Sequence, residues 1–401
     1  MPAPRTPYDA VLHAARDVAK LDCALDAEML GAALLGSVYA MADGDRAATV
    51  REFVGQFLAA TARRRAAAAT AIRAVFAALV PDAAGADEVQ PGAQPPRWAA
   101  QLGRVRLTGS HAYGDVFGDQ TSYIATFAYE DATHGGPEHA VVALVDHNIG
   151  IVKDVFVGRE APLLVARVRK MCAADELTWF AEVDPATLAG EVTGHLDVTD
   201  GLGHLPSDGS IATDRMVVGA RLALLPRDPS LVAAAPLDTA AREALAHDFL
   251  ASTEASAAGL SELTGADELT LHFCLSLLLD HADTFPDAQP LRWSPAMVGL
   301  FLLDWVHRRA VLDGSDAALL PRTLRAWVEF AGRRRNLPVA AVAQTVAAVD
   351  DLAPEFARLH RTGERRSAVT QAVVQLMAEG VDPNDPVALN AWLQANGNTS
   401  T

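Results

Sequence analysis

One segment of this chain differs from the sequence around it. Residues 118–157, GDQTSYIATFAYEDATHGGPEHAVVALVDHNIGIVKDVFV, are rich in β-branched and aromatic residues, whereas the flanking sequence is rich in alanine and shows helical periodicity. Within this segment, TSYIATFAY (121–129) places its aromatic residues on one face, and HAVVALVDH (139–147) is apolar on both faces, as a central strand is. The segment therefore predicts a small sheet inside a mainly helical protein.

The order of elements from residue 98 to residue 200 predicts an α+β module. A third strand, GIVKDVFV (150–157), follows a tight turn at His147 and Asn148, and a helix over 162–173 and a short strand over 178–184 come next. We expect a mostly antiparallel sheet with a helix on one side. The predicted fold class is mainly α with an embedded α+β module (small antiparallel sheet plus helix) and a C-terminal multi-helix array.

The remaining sequence predicts helices on both sides of this module. The N-terminal helical region covers 1–80, with helices over 8–20, from 26, and over 45–79, before a linker rich in proline and glycine at 81–97. Short helices and loops are expected over 185–235. The C-terminal helical domain covers 237–401, with a break at Pro354. Its helices are expected near 238–252, 265–283, 294–310, 317–334, 338–360, 366–379 and 385–395.

Charge and cysteine content narrow the possible functions. The formal net charge of −17 opposes binding to nucleic acid and to anionic membranes, although two arginine runs, 63–65 and 333–335, leave nucleic-acid binding as one hypothesis. The three cysteines are far apart, which favours a reducing, cytoplasmic location. No stretch reaches the length of an uncharged apolar membrane span, so no membrane association is expected.

Two stretches resemble an uncharacterised actinobacterial protein family of unknown function. They are GDVFGDQTSYIATFAYE together with HAVVALVDHNIGIVKDVFV, and LRWSPAMVGLFLLDWVHRRAVLDGSDAALLPRTLRAWVEFAGRRRNLP. The resemblance covers about half of the chain and concerns its overall pattern. It implies no activity, cofactor or site residue.

The predicted hairpin brings polar residues to one end of the sheet. If 121–129 pairs with 139–147, residues whose numbers sum to about 268 face each other, so the start of the first strand lies beside the end of the second. The loop histidines His134 and His139 then lie on the surface at the opposite end. The candidate ligand-binding residues are Asp115, Asp119, Gln120, Asp146, His147 and Asn148.

These residues support more than one interpretation. Carboxylates beside a histidine bind divalent cations or act in acid–base chemistry, which suggests a metal-dependent or His/Asp-based hydrolase using Asp115, Asp119, Asp146 and His147. However, the spacing matches no established catalytic or metal motif, and aspartate and asparagine beside glycine commonly form turns. No catalytic residue or cofactor is therefore assigned, and the identity of any metal stays open.

We therefore expect a soluble protein that acts by interaction. The absence of a catalytic signature and the large helical fraction favour a non-enzymatic protein-interaction or regulatory protein. A protein partner or self-association is expected, with a groove on the 237–396 array as one docking surface. The hydrolase at the sheet edge is the alternative.

Overall fold

The chain folds into two compact units with separate cores. A computed structural model describes residues 6–90, 94–205, 210–226, 235–285, 288–381, 387–388 and 391–392. One unit comprises residues 1–115 and 120–232, and the other comprises 116–119 and 233–401. The predicted region 1–80 and the predicted region 98–200, apart from residues 116–119, lie in the first unit and share its core, while 237–401 lies in the second. The predicted fold class is confirmed.

The helices of the first unit differ from the prediction in several places. The predicted helix over 8–20 ends at Ala14 and is followed by a separate 3₁₀ turn. The predicted helix over 45–79 is two helices, because residues 62–66 leave the helical path. Residues 185–235, predicted as short helices and loops, contain two helices of 16 and 13 residues. The helices are α1 (Pro7–Ala14), α2 (Ala24–Met41), α3 (Arg46–Thr61), α4 (Ala67–Leu79), α5 (Ala132–Gly135), α6 (Ala161–Ala173), α7 (Pro185–Asp200) and α8 (Ser210–Leu222), with short 3₁₀ turns at Val18–Lys20 and Arg97–Gln101.

The first unit contains one five-stranded antiparallel sheet in the order β4-β3-β2-β1-β5. The sequence prediction missed one of its strands, β1, which lies between β2 and β5 and pairs with both. The strands are β1 (Val105–Asp115), β2 (Gln120–Tyr129), β3 (His139–Asp146), β4 (Ile151–Gly158) and β5 (Thr178–Glu182).

The two faces of the sheet are covered differently. The side chains of Phe127 on β2 and Val141 on β3 point to the same face of the sheet. They belong to the main core, which also contains residues of α2, α4, α7 and α8. On the other face, Ile124 and Val142 pack against the amphipathic helix α6. One helix therefore covers this second face, as predicted, and it runs alongside the terminal strand β5.

The second unit is an array of helices. The helices are α9 (Thr239–Leu250), α10 (Thr253–Ala257), α11 (Ala266–Ala282), α12 (Pro295–Leu300), α13 (Val306–Arg309), α14 (Gly314–Arg334), α15 (Val339–Thr362) and α16 (Ala368–Ala378). A π-helical turn, Phe301–Trp305, joins α12 to α13. The predicted break at Pro354 is wrong, because α15 continues through it. The predicted helix over 385–395 lies mostly outside the described residues.

Helix α2 has the length and apolar composition of a membrane span, and among the described helices it alone meets that test. Half of its span is buried inside the protein, and it carries the buried carboxylate of Glu28. The apolar character of α2 is therefore accounted for by its place in the core of the first unit, where core helices show the same composition.

Candidate functional site

The turn after β3 gathers four of the six predicted site residues. Asp115 Oδ2 accepts the backbone N–H of Gln120 at 2.8 Å, and Gln120 Nε2 donates to Asp146 Oδ2 at 3.0 Å. The other oxygen of Asp146 accepts the backbone N–H of Asn148 at 3.0 Å. The hairpin prediction is thus confirmed in its pairing, with Gln120 opposite Asp146, although the register differs by two in the sum because Phe127, not Tyr129, faces His139.

Two of the six residues have other surroundings. His147 Nε2 lies 3.0 Å from Thr121 Oγ1, and its ring meets the ring of His195 edge-on, with centroids 5.6 Å apart. Asp119 belongs to the short stretch that groups with the second unit, where its carboxylate lies 3.6 Å from the guanidinium of Arg292. The structure therefore brings Asp115, Gln120, Asp146 and Asn148 into one hydrogen-bonded chain, but Asp119 is paired elsewhere.

The chemistry of this rim is that of a capped turn. Both oxygens of Asp146 accept hydrogen bonds, and Lys153 Nζ lies 3.5 Å from one of them. Among the described residues no group of three or more His, Cys, Asp or Glu side chains is arranged to hold a metal ion. Asp146 holds the β3–β4 turn in place, and Asp115 holds the connection between β1 and β2. Both make hydrogen bonds of the kind that aspartate makes in turns.

A fully buried ionic network lies at the other end of the sheet, and the sequence analysis missed it. Glu28 Oε2 accepts the hydroxyl of Tyr129 at 2.7 Å and also pairs with Arg221. The Nε of Arg221 donates to His139 Nε2 at 3.0 Å, and Arg221 Nη2 donates to the Tyr129 hydroxyl oxygen at 2.8 Å. His139, predicted to lie on the surface, is completely buried.

The protonation states of this network follow from its burial. Desolvation, reinforced by the neighbouring positive charge of Arg221, lowers the pKa of His139 to about 3. Desolvation and the Glu28 carboxylate raise the pKa of Tyr129. The imidazole is therefore neutral and accepts from Arg221, with Nδ1 facing the carbonyl of Pro137 at 3.4 Å. Because all these side chains are sealed from solvent, the network is a structural element.

A second buried network ties three helices together. Asp200, at the end of α7, binds the guanidinium of Arg215 on α8 through Nε at 3.2 Å and Nη2 at 2.7 Å. The same carboxylate accepts the hydroxyl of Tyr39 on α2 at 2.5 Å. Only 4% of the surface of Asp200 is exposed, so a substrate could not reach the charges of this bidentate pair.

The two arginine runs lie in different units, and each contains paired side chains. Arg64 lies 3.0 Å from Asp9 in the first unit. In the second unit, Arg333 contacts Glu254 at 2.6 Å, and Arg334 contacts an aspartate of α9 at 2.9 Å. These contacts neutralise part of the basic character of both runs.

The two edges of the sheet present contrasting surfaces. On the outer edge of β4, the hydroxyl of Thr199 accepts the N–H of Val152 at 2.9 Å, and the carboxylate of Asp214 accepts the N–H of Val157 at 2.9 Å. Burial raises the pKa of Asp214. Side chains from α7 and α8 thus form hydrogen bonds with backbone groups to which another strand could otherwise bind.

The outer edge of β5 is open as far as the described residues show, since none of them pairs with it. The backbone N–H of Val183 donates to the carbonyl of Ser110 on β1. In an antiparallel pair every second residue bonds to the neighbouring strand, so the backbone groups of Ala181 and Trp179 also bond to β1. The N–H and C=O groups of Phe180 therefore point away from the sheet, as do those of Glu182. Among the described residues none donates to or accepts from these outward groups. Within the part of the chain that the structure describes, the sheet thus ends at β5 in polar backbone groups without a hydrogen-bond partner.

A cavity of about 390 Å³ lies between β5 and α6. Phe180 forms part of its wall, with the Arg169 guanidinium carbon 5.1 Å from the ring centroid and the imidazole of His111 stacked on it at 5.3 Å. Desolvation lowers the pKa of His111, and Arg169 adds to the effect. The cavity is lined by Arg169, Cys172, Ala173, Thr178, Trp179, Phe180, Ala181 and Glu182. The outward backbone groups of β5 thus lie beside a cavity that could hold side chains of a bound segment.

The helical array carries a groove between α14 and α15. Its volume is about 700 Å³, and its walls include Leu337, Val342 and Val346 between charged residues such as Arg325 and Asp350. The groove has the apolar floor and polar rim that protein-binding surfaces share. The groove lies on the array for which a docking surface was predicted, and its use as a docking surface stays a prediction.

Comparison of the chain with protein-family models, with curated proteins and with solved structures finds no match.

Proposed function

We propose that this protein is a non-enzymatic protein-interaction protein that binds an extended segment of a partner as an added strand at β5. The observation that carries the proposal is the outward backbone of Phe180 and Glu182, which has no partner among the described residues. Strand addition obtains affinity from such main-chain groups and specificity from pockets that accept alternate side chains. The cavity beside β5 provides such a pocket.

The opposite edge supports this proposal by contrast. Exposed edges are a route to aggregation, and proteins commonly cover or charge them. Here the buried side chains of Thr199 and Asp214 accept backbone N–H groups of β4 and so close that edge. The open edge at β5 is then best explained by a partner that covers it.

The hydrolase alternative has less support from the geometry. The oxygens of Asp146 are held by Gln120 and Asn148, and Asp119 faces Arg292. We also propose that the protein is cytoplasmic and is related to the actinobacterial family that its sequence resembles. The three cysteines, all free and buried, support a reducing compartment.

A single substitution tests strand addition at this edge. Phe180→Pro removes the outward N–H, which does not bond to β1, and it also removes the ring that lines the cavity and contacts Arg169. Edge strands tolerate proline. Phe180→Val is the matched control, since it shortens the side chain but keeps the N–H. Decapeptides selected from a display library on the full-length protein are measured by fluorescence anisotropy against all three proteins.

We expect the selected peptides to bind Phe180→Pro about tenfold more weakly than Phe180→Val, the effect of one lost hydrogen bond plus a steric block, because both variants lack the ring and differ in the N–H. Selection that yields no binding peptide, or peptides that bind Phe180→Pro as tightly as Phe180→Val, would overturn the proposed function.

A further inference from the structure

The positive charge of Arg169 beside β5 indicates what kind of segment binds there, an inference that rests on the proposed function. Arg169 lines the cavity, and among the described residues no carboxylate lies within ion-pair distance of its guanidinium. Its N–H groups likewise have no hydrogen-bond partner there, although the group is held over the Phe180 ring. In a chain with a net charge of −17, this is an arginine that is positioned but not neutralised.

An arginine in this state is suited to a carboxylate. The guanidinium is planar and offers several donors in a fixed fork, and packing on an aromatic ring orients it without using those donors. Arg169 is exposed to solvent, so a carboxylate of a partner can reach its guanidinium. A carboxylate arriving from a bound strand would complete its hydrogen bonds.

We propose that the segment bound at β5 is acidic, with a glutamate or aspartate side chain that enters the cavity and pairs with Arg169. Side chains of an added strand alternate between faces, so one residue in two points toward the side on which α6 lies. Glu182 also lines this cavity and would repel a carboxylate. The acidic side chain of the partner is therefore expected beside Arg169 and away from Glu182. The preferred segment carries one acidic residue among apolar or uncharged ones and is not a polyanion.

A second copy of the chain is a poorer occupant. Two copies joined through β5 by a two-fold axis perpendicular to the sheet would place both α6 helices on the same side, next to each other. Helix α6 carries Arg167, Arg169 and Lys170, none of which has a carboxylate partner among the described residues. The two basic helices would therefore repel each other.

The experiment compares three fluorescein-labelled decapeptides of alternating valine and threonine with a central glutamate, glutamine or lysine. Anisotropy with the full-length protein should give the tightest binding for the glutamate peptide, about fivefold or more over glutamine, the effect of one partly exposed charge-assisted hydrogen bond. Arg169→Glu should reverse this order in favour of the lysine peptide. Arg167→Glu, on the same helix but outside the cavity wall, is the matched control and should keep the wild-type order.

The outcomes separate this inference from the proposed function. Binding that depends on the Phe180 N–H but is equal for the three peptides would overturn the acidic partner and leave strand addition in place. Binding that Phe180→Pro leaves unchanged would overturn both. A dimer in sedimentation velocity that Phe180→Pro abolishes would identify a second copy as the occupant, and it would also overturn the acidic segment.

Discussion

Acid should destabilise the first unit through the single buried imidazole of His139. Arg221 donates to His139 Nε2 at 3.0 Å, so a proton on that nitrogen would break the hydrogen bond and place two cations in contact. Burial and Arg221 lower the pKa of His139 to about 3 in the folded protein, whereas a histidine in an unfolded chain has a pKa of about 6.5. Below about pH 6.5 the unfolded chain therefore binds a proton that the folded unit excludes.

The magnitude follows from the difference between the two pKa values. The stabilising effect of the neutral imidazole is fully present above the unfolded pKa, and it is lost as the pH falls toward the folded one. Each unit of pH in that window costs about 1.4 kcal/mol. From about pH 7 to about pH 4, His139 alone should therefore remove roughly 3 kcal/mol from the free energy of unfolding.

The variant His139→Gln isolates this contribution. Its amide oxygen can accept from Arg221 and does not titrate, and every other titrating group is common to both proteins. This matters because burial also lowers the pKa of His281, in the second unit, to about 3. Hydrogen–deuterium exchange of peptides covering β2 and β3, corrected for the intrinsic pH dependence of exchange, reports on the first unit alone.

The free energy of opening in the wild type should fall by roughly 3 kcal/mol more than that of His139→Gln between these pH values. Equal losses in the two proteins would refute the neutral, buried acceptor. So would an imidazole resonance of His139 that titrates near its unfolded pKa in NMR spectra of the folded protein.

Two further substitutions test other contacts of the first unit by urea unfolding. Arg215→Met leaves the carboxylate of Asp200 buried without its bidentate partner, which should cost about 3–5 kcal/mol; a loss near zero would show that Asp200 is solvated. Thr199→Val removes the acceptor that closes the β4 edge and should cost about 1–3 kcal/mol, while Thr199→Ser should keep most of the stability; equal loss in both would mean that the hydroxyl is not what matters.

The β2–β3 pair was predictable because its pattern is strong and local. Apolar residues fill β3, and a turn follows at Asp146, so both strands could be placed. Their register could not be fixed to the residue, since the connection contains the helical turn α5 and Gly136 at φ 111°, and it is not a two-residue hairpin. A loop of this length leaves the pairing to tertiary packing.

Strand β1 was missed because its sequence, VRLTGSHAYGD, lacks the usual strand signal. Glycine, serine and histidine are poor strand markers, and most of its residues are only partly buried. The strand is held by its neighbours, since it pairs with β2 along one side and β5 along the other. That information lies in distant sequence, so local periodicity could not find it.

The continuation of α15 through Pro354 has a local explanation. Proline at this position removes the donor to the carbonyl four residues earlier, that of Asp350. Both residues lie on the exposed side of the helix, where water can bind the released carbonyl. The helix therefore persists, and a proline on a solvent face is a weaker stop signal than one on a packed face.

The buried charges escaped prediction for another reason. Arg221 and Glu28 are 193 residues apart, and each lies in a helix whose pattern gives no sign that a charge faces the core. A buried charge is tolerated only when its partner is buried with it. Such a pair becomes recognisable once the fold has brought α2 and α8 together.

The two candidate sites differ in the kind of chemical group that defines them. The acidic rim drew attention because Asp146 and its neighbours concentrate polar groups, and those groups are used in the turn itself. The sequence of β5, TWFAE, contains no motif, because the groups proposed to bind a partner there belong to the backbone. Backbone donors are present at every residue, and only sheet order and the placement of Thr199 and Asp214 distinguish the open edge from the closed one. A binding surface of this kind becomes visible only when the topology of the sheet is known.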